Sequence, residues 1–432
     1  MLLCQRHLLT IPDRFGYGVD QAGDTAAIPE KGIEVFESLE RLPADAIIGV
    51  MALFRADPSK SKVDLSVGVY QDDAGRTPIL ESVRRAEKAI LDAQTTKTYV
   101  GITGNAGFNS GIQELIFGRD HEVVADQRVA TVQTPGGSGG LCVAAHLIHR
   151  ARHGVHVHIS DPSWPNHLPL LKLAGLAIEQ YPYYDYREHR VDFEGMVKAV
   201  EAIHSGHVLL LHGCCHNPCG ADLSREQWHV LAELCQRRKV VPFIDLAYQG
   251  LSQGLEEDAY GVRIMAEHVP ELIVVASCSK NFGLYRERVG SVSVVAADTG
   301  SRDRILTNLA NVARGLYSMP PDHGAAIVDR VLHDAELRRL WESEVGEIRE
   351  RINGLRQLFV EKITERKTPR DFSFIAHERG MFSFLGISKE QVVRLREEFH
   401  VYMLESSRIN LAGINSSNVD YVVDSIAKVL SR

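Results

Sequence analysis

The sequence predicts an α/β protein built around a mostly parallel sheet, joined to a smaller α+β part. Three observations predict it. Between about residues 125 and 297, short apolar runs alternate with segments of helical period. The runs are apolar at consecutive positions, as in "ELIVVAS" (271–277), the pattern of strands covered on both faces. From about residue 325, long helical patterns replace the alternation.

Taken in order, residues 1–34 hold scattered Gly, Pro and Asp with little periodicity and read as a loosely ordered extension. Its apolar patch at Leu2–Ile11 is broken by Gln5, Arg6 and His7, which makes a poor signal peptide. "QRVATVQT" (127–134) reads as a strand, followed by "PGGSGG" and a helix from Leu141, with Leu141, Ala144, Ala145 and Ile148 on one face and Gly154 closing it. "VHVHIS" (155–160) is the next strand, with a helical stretch near 166–174. "HVLLLHG" (207–213) follows, and Ser224 with Gln227 forms a capping box that opens a helix through Trp228, Leu231 and Cys235. "VVPFID" (240–245), "ELIVVAS" and "GSVSVVAA" (290–297) complete the series. A second capping box, Ser388 with Gln391, opens "SKEQVVRLREEF" (388–399). Strands alternating with helices give a parallel sheet that binds ligands at the carboxyl ends of its strands.

Composition narrows the partners. The 432 residues are 44% hydrophobic and 24% charged, enough for a large core and about two domains. The net charge of -8 and the absence of a long basic run argue against nucleic acid or an anionic membrane as the main partner. No apolar stretch approaches the roughly 20 residues of a membrane span. Seven cysteines, odd in number and without framework spacing, fit a reducing cytosol.

The chemistry-bearing residues gather where strands end. Lys280 follows a buried strand, between Ser277 and Ser279 and eight residues before Arg288. It is either a solvated surface lysine or a reactive amine, and a neighbouring cation lowers the pKa of such an amine. Ser277, Ser279 and Arg288 are suited to an anion such as a phosphate. "TPGGSGG" (134–140) joins a strand to a helix, either as a tight turn or as an anion cradle at a helix N-terminus. It lacks the lysine of a nucleotide P-loop, and Cys142 breaks G-x-G-x-x-G.

Asp245 ends a strand with Tyr248 three residues on, as a cap or as a carboxylate facing a cation. "HGCCHNPCG" (212–220) invites a zinc reading, but it has no C-x-x-C, and adjacent Cys214 and Cys215 on a strand end point to opposite sides. Asn217-Pro218 marks a turn instead. Trp164 in "DPSWPNH" covers a flat ligand or anchors its loop. Arg314 and Arg408 sit among small or apolar neighbours, where a guanidinium calls for a carboxylate from the protein or from substrate. Together these form a lysine amine, a phosphate cradle, a carboxylate, an aromatic lid and two arginines. That set suits pyridoxal phosphate chemistry on amino acids.

At these residues the chain resembles the aspartate and aromatic amino-acid aminotransferases of the fold-type I pyridoxal phosphate family. The resemblance runs through residues 36–431, on "LFRAD", "TTKTYVGITG", "QTPGG", "PSWPNH", "HGCCHNP", "AYQG", "SKNFGLYRERVG" and "GMFSF". It implies a large cofactor domain over 78–347 with a mostly parallel seven-stranded sheet. It also implies a smaller α+β domain over 348–432, completed by an N-terminal arm at 35–77. Lys280 would bond pyridoxal 5'-phosphate and shuttle the proton, and Asp245, backed by His167, would hold the ring nitrogen. Asn217 and Tyr248 would hold the ring oxygen, and Trp164 would stack on the ring. Gly137, Ser138, Ser277, Ser279 and Arg288 would hold the phosphate, with Tyr99 from a second subunit. Arg408 and Gly68 would take the α-carboxylate of the substrate, and Arg314 of the partner subunit its distal carboxylate. The implied enzyme is a cytoplasmic homodimer with shared active sites, binding neither nucleic acid nor membrane. By a ping-pong mechanism it passes the amino group of aspartate, and of aromatic amino acids, to 2-oxoglutarate.

Four departures bear on substrate preference. Ser407 stands where the family has glycine, Met319 replaces asparagine or serine, Cys219 replaces threonine, and Gln71 replaces lysine or tyrosine. Ser138 matches the aromatic-preferring branch. A mainly tyrosine or phenylalanine aminotransferase is therefore the nearest alternative. A decarboxylase or β-eliminase on the same fold is less suited to two carboxylate-binding arginines. A non-enzymatic regulator would need a DNA-binding module, for which the short, unpatterned extension offers no elements.

Overall fold

A computed structural model of the chain describes residue 36, residues 39–42 and residues 46–431. The expected extension over 1–34 lies outside the described residues. Seven strands form the main sheet: β1 (Val129–Pro135), β2 (His156–Asp161), β3 (Ala177–Pro182), β4 (Val208–His212), β5 (Val241–Leu246), β6 (Leu272–Ser277) and β7 (Val289–Val295). Their order across the sheet is β1-β7-β6-β5-β4-β2-β3. Every neighbouring pair is parallel except those of β7, which runs antiparallel to both β1 and β6. The expected α/β class and mostly parallel sheet are what the chain forms.

Consecutive apolar residues in a strand point to opposite faces. Leu209 and Leu211 of β4 join one core, while Val208 and Leu210 join the other. Val274 of β6 likewise faces one side, and Ile273 and Val275 the other. Helices cover both faces, so the runs read from the sequence are two-sided strands rather than alternating ones.

Both capping boxes form. The Ser224 hydroxyl accepts from Gln227 N and the Gln227 side chain accepts from Ser224 N, and Ser388 and Gln391 repeat the arrangement. The glycine stretch differs from expectation. It is not a loop before a helix at Leu141 but the first turn of helix α2 (Gly136–Ala151). Close packing calls for glycine there, because a Cβ at Gly140 would lie 2.8 Å from Val275 Cγ1 and 2.9 Å from Ser291 O.

A third core lies apart from the sheet. It joins Val63 and Leu65 to Leu355, Phe359, Ile363, Leu395, Ile409 and Val422. Val63–Asp64 pairs in parallel with Val401–Tyr402. Strand β8 (Phe382–Phe384) pairs antiparallel with β9 (Arg408–Asn410), so that Phe384 lies opposite Arg408. The helix Ala335–Glu365 packs on two cores, Trp341 through Ile352 on a sheet core and Leu355 through Ile363 on the third core. An N-terminal helix, α1 (Ala46–Ala56), is followed by Asp57, whose carboxylate accepts from the Tyr402 hydroxyl at 2.7 Å and from His400 Nδ1 at 2.8 Å. Among the described residues no helix is long and apolar enough to cross a membrane.

Candidate active site

A cavity of about 250 Å³ opens at the carboxyl ends of β1, β4, β5 and β6. It gathers Gly68, Gly137, Ser138, Trp164, Asn217, Asp245, Tyr248, Ser277, Ser279, Lys280, Arg288 and Arg408. These are twelve of the residues singled out from the sequence. His167 stands just behind the wall. Tyr99 and Arg314 do not line it: Tyr99 is 92% exposed, and Arg314, at the end of the helix Thr299–Leu316, donates to the Ser318 hydroxyl.

One end of the cavity has the chemistry to hold an anion. The first turn of α2 carries no acidic residue, and its N-terminus has no side-chain cap. Its backbone N–H groups and the helix dipole therefore face the cavity uncompensated. Ser277 ends β6, and Ser279 lies two residues on. Arg288 enters from just before β7 with φ +55°. Gly136 makes the approach possible. Its own φ is +73°, and a Cβ there would meet the Arg288 guanidinium at 2.4 Å. Among the described residues Arg288 pairs with no carboxylate, and its Nη1 donates only to Tyr285 O at 3.0 Å.

The middle is built around two opposite charges. Asp245 is the penultimate residue of β5, and its Oδ2 accepts from His167 Nε2 at 3.0 Å. His167 Nδ1 lies 2.8 Å from the Ser163 hydroxyl, which lies 3.3 Å from His212 Nε2. Burial pushes the Asp245 carboxyl up, but the hydrogen bond and charge of His167, aided by His212 and Lys280, carry it below its usual value. Burial and the neighbouring His167 push His212 down to about 3, so its imidazole is neutral. Lys280 Nζ sits 4.8 Å from the centre of the Tyr248 ring. Burial lowers the Lys280 amine to about 8, Asp245 opposing and Arg288 assisting. Burial pushes the Tyr248 phenol up, against the pull of Arg408.

The far end holds Arg408, 1% exposed. Its Nη1 donates to Asn217 Oδ1 at 3.2 Å and its Nη2 to Ser66 O at 2.6 Å. The guanidinium stacks 4.3 Å above the Phe382 ring. Phe382 in turn covers Gly68, where a Cβ would come within 2.7 Å of the ring. Burial lowers Arg408 to about 10, Tyr248 opposing. No carboxylate of the described residues pairs with it, and its Nε has no acceptor. A buried guanidinium that lines a cavity and has no carboxylate partner is suited to an anionic oxygen.

Sequence reading passed over several lining residues. Ile47, Leu141, Ala247, Tyr285 and Phe382 line the cavity, as does His212, which had been weighed only for zinc. Tyr285 lies within "SKNFGLYRERVG", and its hydroxyl accepts from Tyr70 N at 3.0 Å. Among the described residues no cluster is arranged to hold a metal, and every described cysteine is a free thiol. Cys219, read as a departure near the site, is buried with Sγ 3.1 Å from His216 Nδ1 and does not line the cavity. Gln71 and Met319 do not line it either.

The fold and site define an α/β enzyme whose strand ends present an amine beside an anion cradle and a buried guanidinium. The pattern of the class I and II aminotransferases matches residues 60–426. The aspartate aminotransferase of Escherichia coli (strain K12) is 46% identical over 396 residues, 92% of this chain and 100% of that protein. The aromatic-amino-acid aminotransferase of Pseudomonas aeruginosa is 44% identical over 394 residues, 91% of this chain and 98% of that one. The crystal structure of an aromatic-amino-acid aminotransferase from Burkholderia pseudomallei, covalently bound to pyridoxal phosphate, superposes with a TM-score of 0.90. It is 42% identical and covers 92% of this chain and 100% of its own. The chain belongs to the class I and II aminotransferase family. Enzymes of this class act on amino acids and 2-oxo acids.

Proposed function

We propose that the chain transfers the amino group of aspartate, and also of aromatic amino acids, to 2-oxoglutarate, with pyridoxal 5'-phosphate held in this cavity. The observation that carries the reading is Arg408, a buried guanidinium with an unpaired Nε on the same cavity as a lysine of lowered pKa. When bound, pyridoxal phosphate supplies a carbonyl that bonds amines and a ring that accepts electrons.

The residues present fit that group. Lys280 offers the amine. The start of α2 at Gly137 and Ser138, with Ser277, Ser279 and Arg288, offers donors to the phosphate. Asp245, kept ionised by His167, suits a protonated ring nitrogen. Asn217 and Tyr248 offer donors to the ring oxygen, and Trp164 offers a face to the ring. Arg408, with the Gly68 backbone, takes the α-carboxylate and orients the substrate. Lys280 Nζ, neutral in a sizeable fraction near pH 8, takes up a proton and returns it, the general acid–base role.

Tyr99 and Arg314, exposed and away from the cavity, suit contribution to a partner's site, which makes the enzyme a homodimer. The third core, with residues 35–77 and 348–432, would form a smaller domain beside the cofactor domain of 78–347. The bacterial relatives named above support a cytoplasmic location. A mainly aromatic preference is the second reading, favoured by Ser138 in the cavity wall.

The test is an amino-donor panel with 2-oxoglutarate as acceptor, read as oxo-acid formation. Aspartate, phenylalanine and tyrosine should all serve, and Lys280→Ala should lower turnover by several orders of magnitude. Donor turnover independent of 2-oxoglutarate would sink the proposal.

A further inference from the structure

Ser407 precedes Arg408 and takes φ +65°, in the left-handed region that side-chain-bearing residues rarely enter. It is 2% exposed. Its N–H donates to Leu404 O at 2.8 Å, closing the turn that leads into β9. Its carbonyl accepts from Leu385 N at 3.0 Å, and its Oγ accepts from Gly386 N, also at 3.0 Å. Ser407 is thus bonded through both backbone and side chain to the segment that leaves β8. That segment is itself held, because the Gly386 carbonyl accepts from the Arg370 guanidinium.

The bend sets where Arg408 starts. From there the guanidinium must reach Asn217, Ser66 and the face of Phe382 together, leaving Nε free. Glycine would take the bend without strain and keep the backbone bonds, but would lose the side-chain tether to Gly386 N. Alanine would keep the strain and leave Gly386 N–H without its acceptor.

We propose that Ser407 is a positioning residue. Its hydroxyl, by accepting from Gly386 N, fixes the left-handed bend that aims Arg408, and so sets the affinity for the substrate carboxylate. The proposal rests on the reading of Arg408 as the carboxylate receptor.

The experiment measures calorimetric binding of succinate, a dicarboxylate without an amino group, to the holoenzyme, with melting temperature beside it. The proteins are wild type, Ser407→Gly, Ser407→Ala and Arg408→Ala. Both Ser407 variants should bind succinate about five- to tenfold more weakly, about 1–1.4 kcal/mol. Their stabilities should diverge: the glycine variant melts near or above wild type, and the alanine variant below it. KM for both substrates should rise more than kcat falls. A structural role alone would make affinity follow stability, so wild-type succinate affinity in Ser407→Gly overturns the proposal. Wild-type affinity in Arg408→Ala would instead overturn the reading of Arg408, whatever the Ser407 variants do.

Discussion

In the cofactor-free protein, Lys280 should be an unusually reactive amine well below the pH at which ordinary lysines react. Burial and Arg288 lower its pKa from 10.5 to about 8, with Asp245 holding it back from a larger fall. At pH 7.5 an amine of pKa about 8 is roughly one quarter neutral, against about 0.1% for one at 10.5. The difference in nucleophilic population is on the order of 10². Competitive labelling with a small neutral acylating reagent between pH 6 and 10, read by mass spectrometry of the Lys280 peptide, measures it. Burial slows reagent access, so the midpoint of the titration is the signal rather than the absolute rate. Replacing Arg288 by Leu removes a cation that disfavours the ammonium and should raise the midpoint. Replacing Asp245 by Asn removes an anion that favours it and should lower the midpoint. A midpoint near 10.5, or shifts in the opposite directions, would refute the electrostatic account of the site.

Asp245→Ala should lower turnover steeply while affecting substrate binding less, and Asn217→Ala should be much milder; unchanged turnover in the first would leave Asp245 a structural role. Arg314→Ala should cut kcat/KM for aspartate by on the order of 10²–10³-fold, the about 3–5 kcal/mol lost when one partner of a buried ion pair is removed. It should spare phenylalanine and tyrosine. An equal fall on both classes would end the assignment of Arg314 to a distal carboxylate.

Much of the site was legible because its residues lie at strand ends, where local pattern is informative. Asp245 follows "VPFI" and Lys280 lies three residues past "LIVVAS", so the sequence alone places each at the carboxyl edge of a sheet. Other parts depend on contacts no local pattern carries. Gly68, Phe382 and Arg408 meet across more than three hundred residues of chain, and the requirement for glycine at 68 comes from the Phe382 ring. Only resemblance to the family had pointed to Gly68. The start of α2 differs from expectation because glycines weigh against helix by propensity, whereas packing against Val275 and the Ser291 carbonyl, which no local pattern carries, calls for glycine at 140. His212 was weighed for metal because its neighbours are cysteines, but its ring completes the hydrogen-bonded chain from Asp245 through His167 and Ser163.

The reversed strand β7 has a consequence for how the site can move. Because β7 runs back alongside β6, with Gly290 opposite Ser277, a single turn over 278–288 carries both Lys280 and Arg288. A parallel return would need a crossover of a dozen or more residues and would bring the chain in at the other end of the sheet. Amine and guanidinium therefore share one hairpin, and their spacing is a property of that hairpin alone. Arg408 belongs to a strand whose Ile409 is packed in the third core. A shift of that core against the sheet would change the distance from Arg408 to Lys280 and leave Lys280 and Arg288 in step. One wall of the cavity thus takes its amine and guanidinium from a single hairpin, and the other takes its guanidinium from a strand anchored in a separate core.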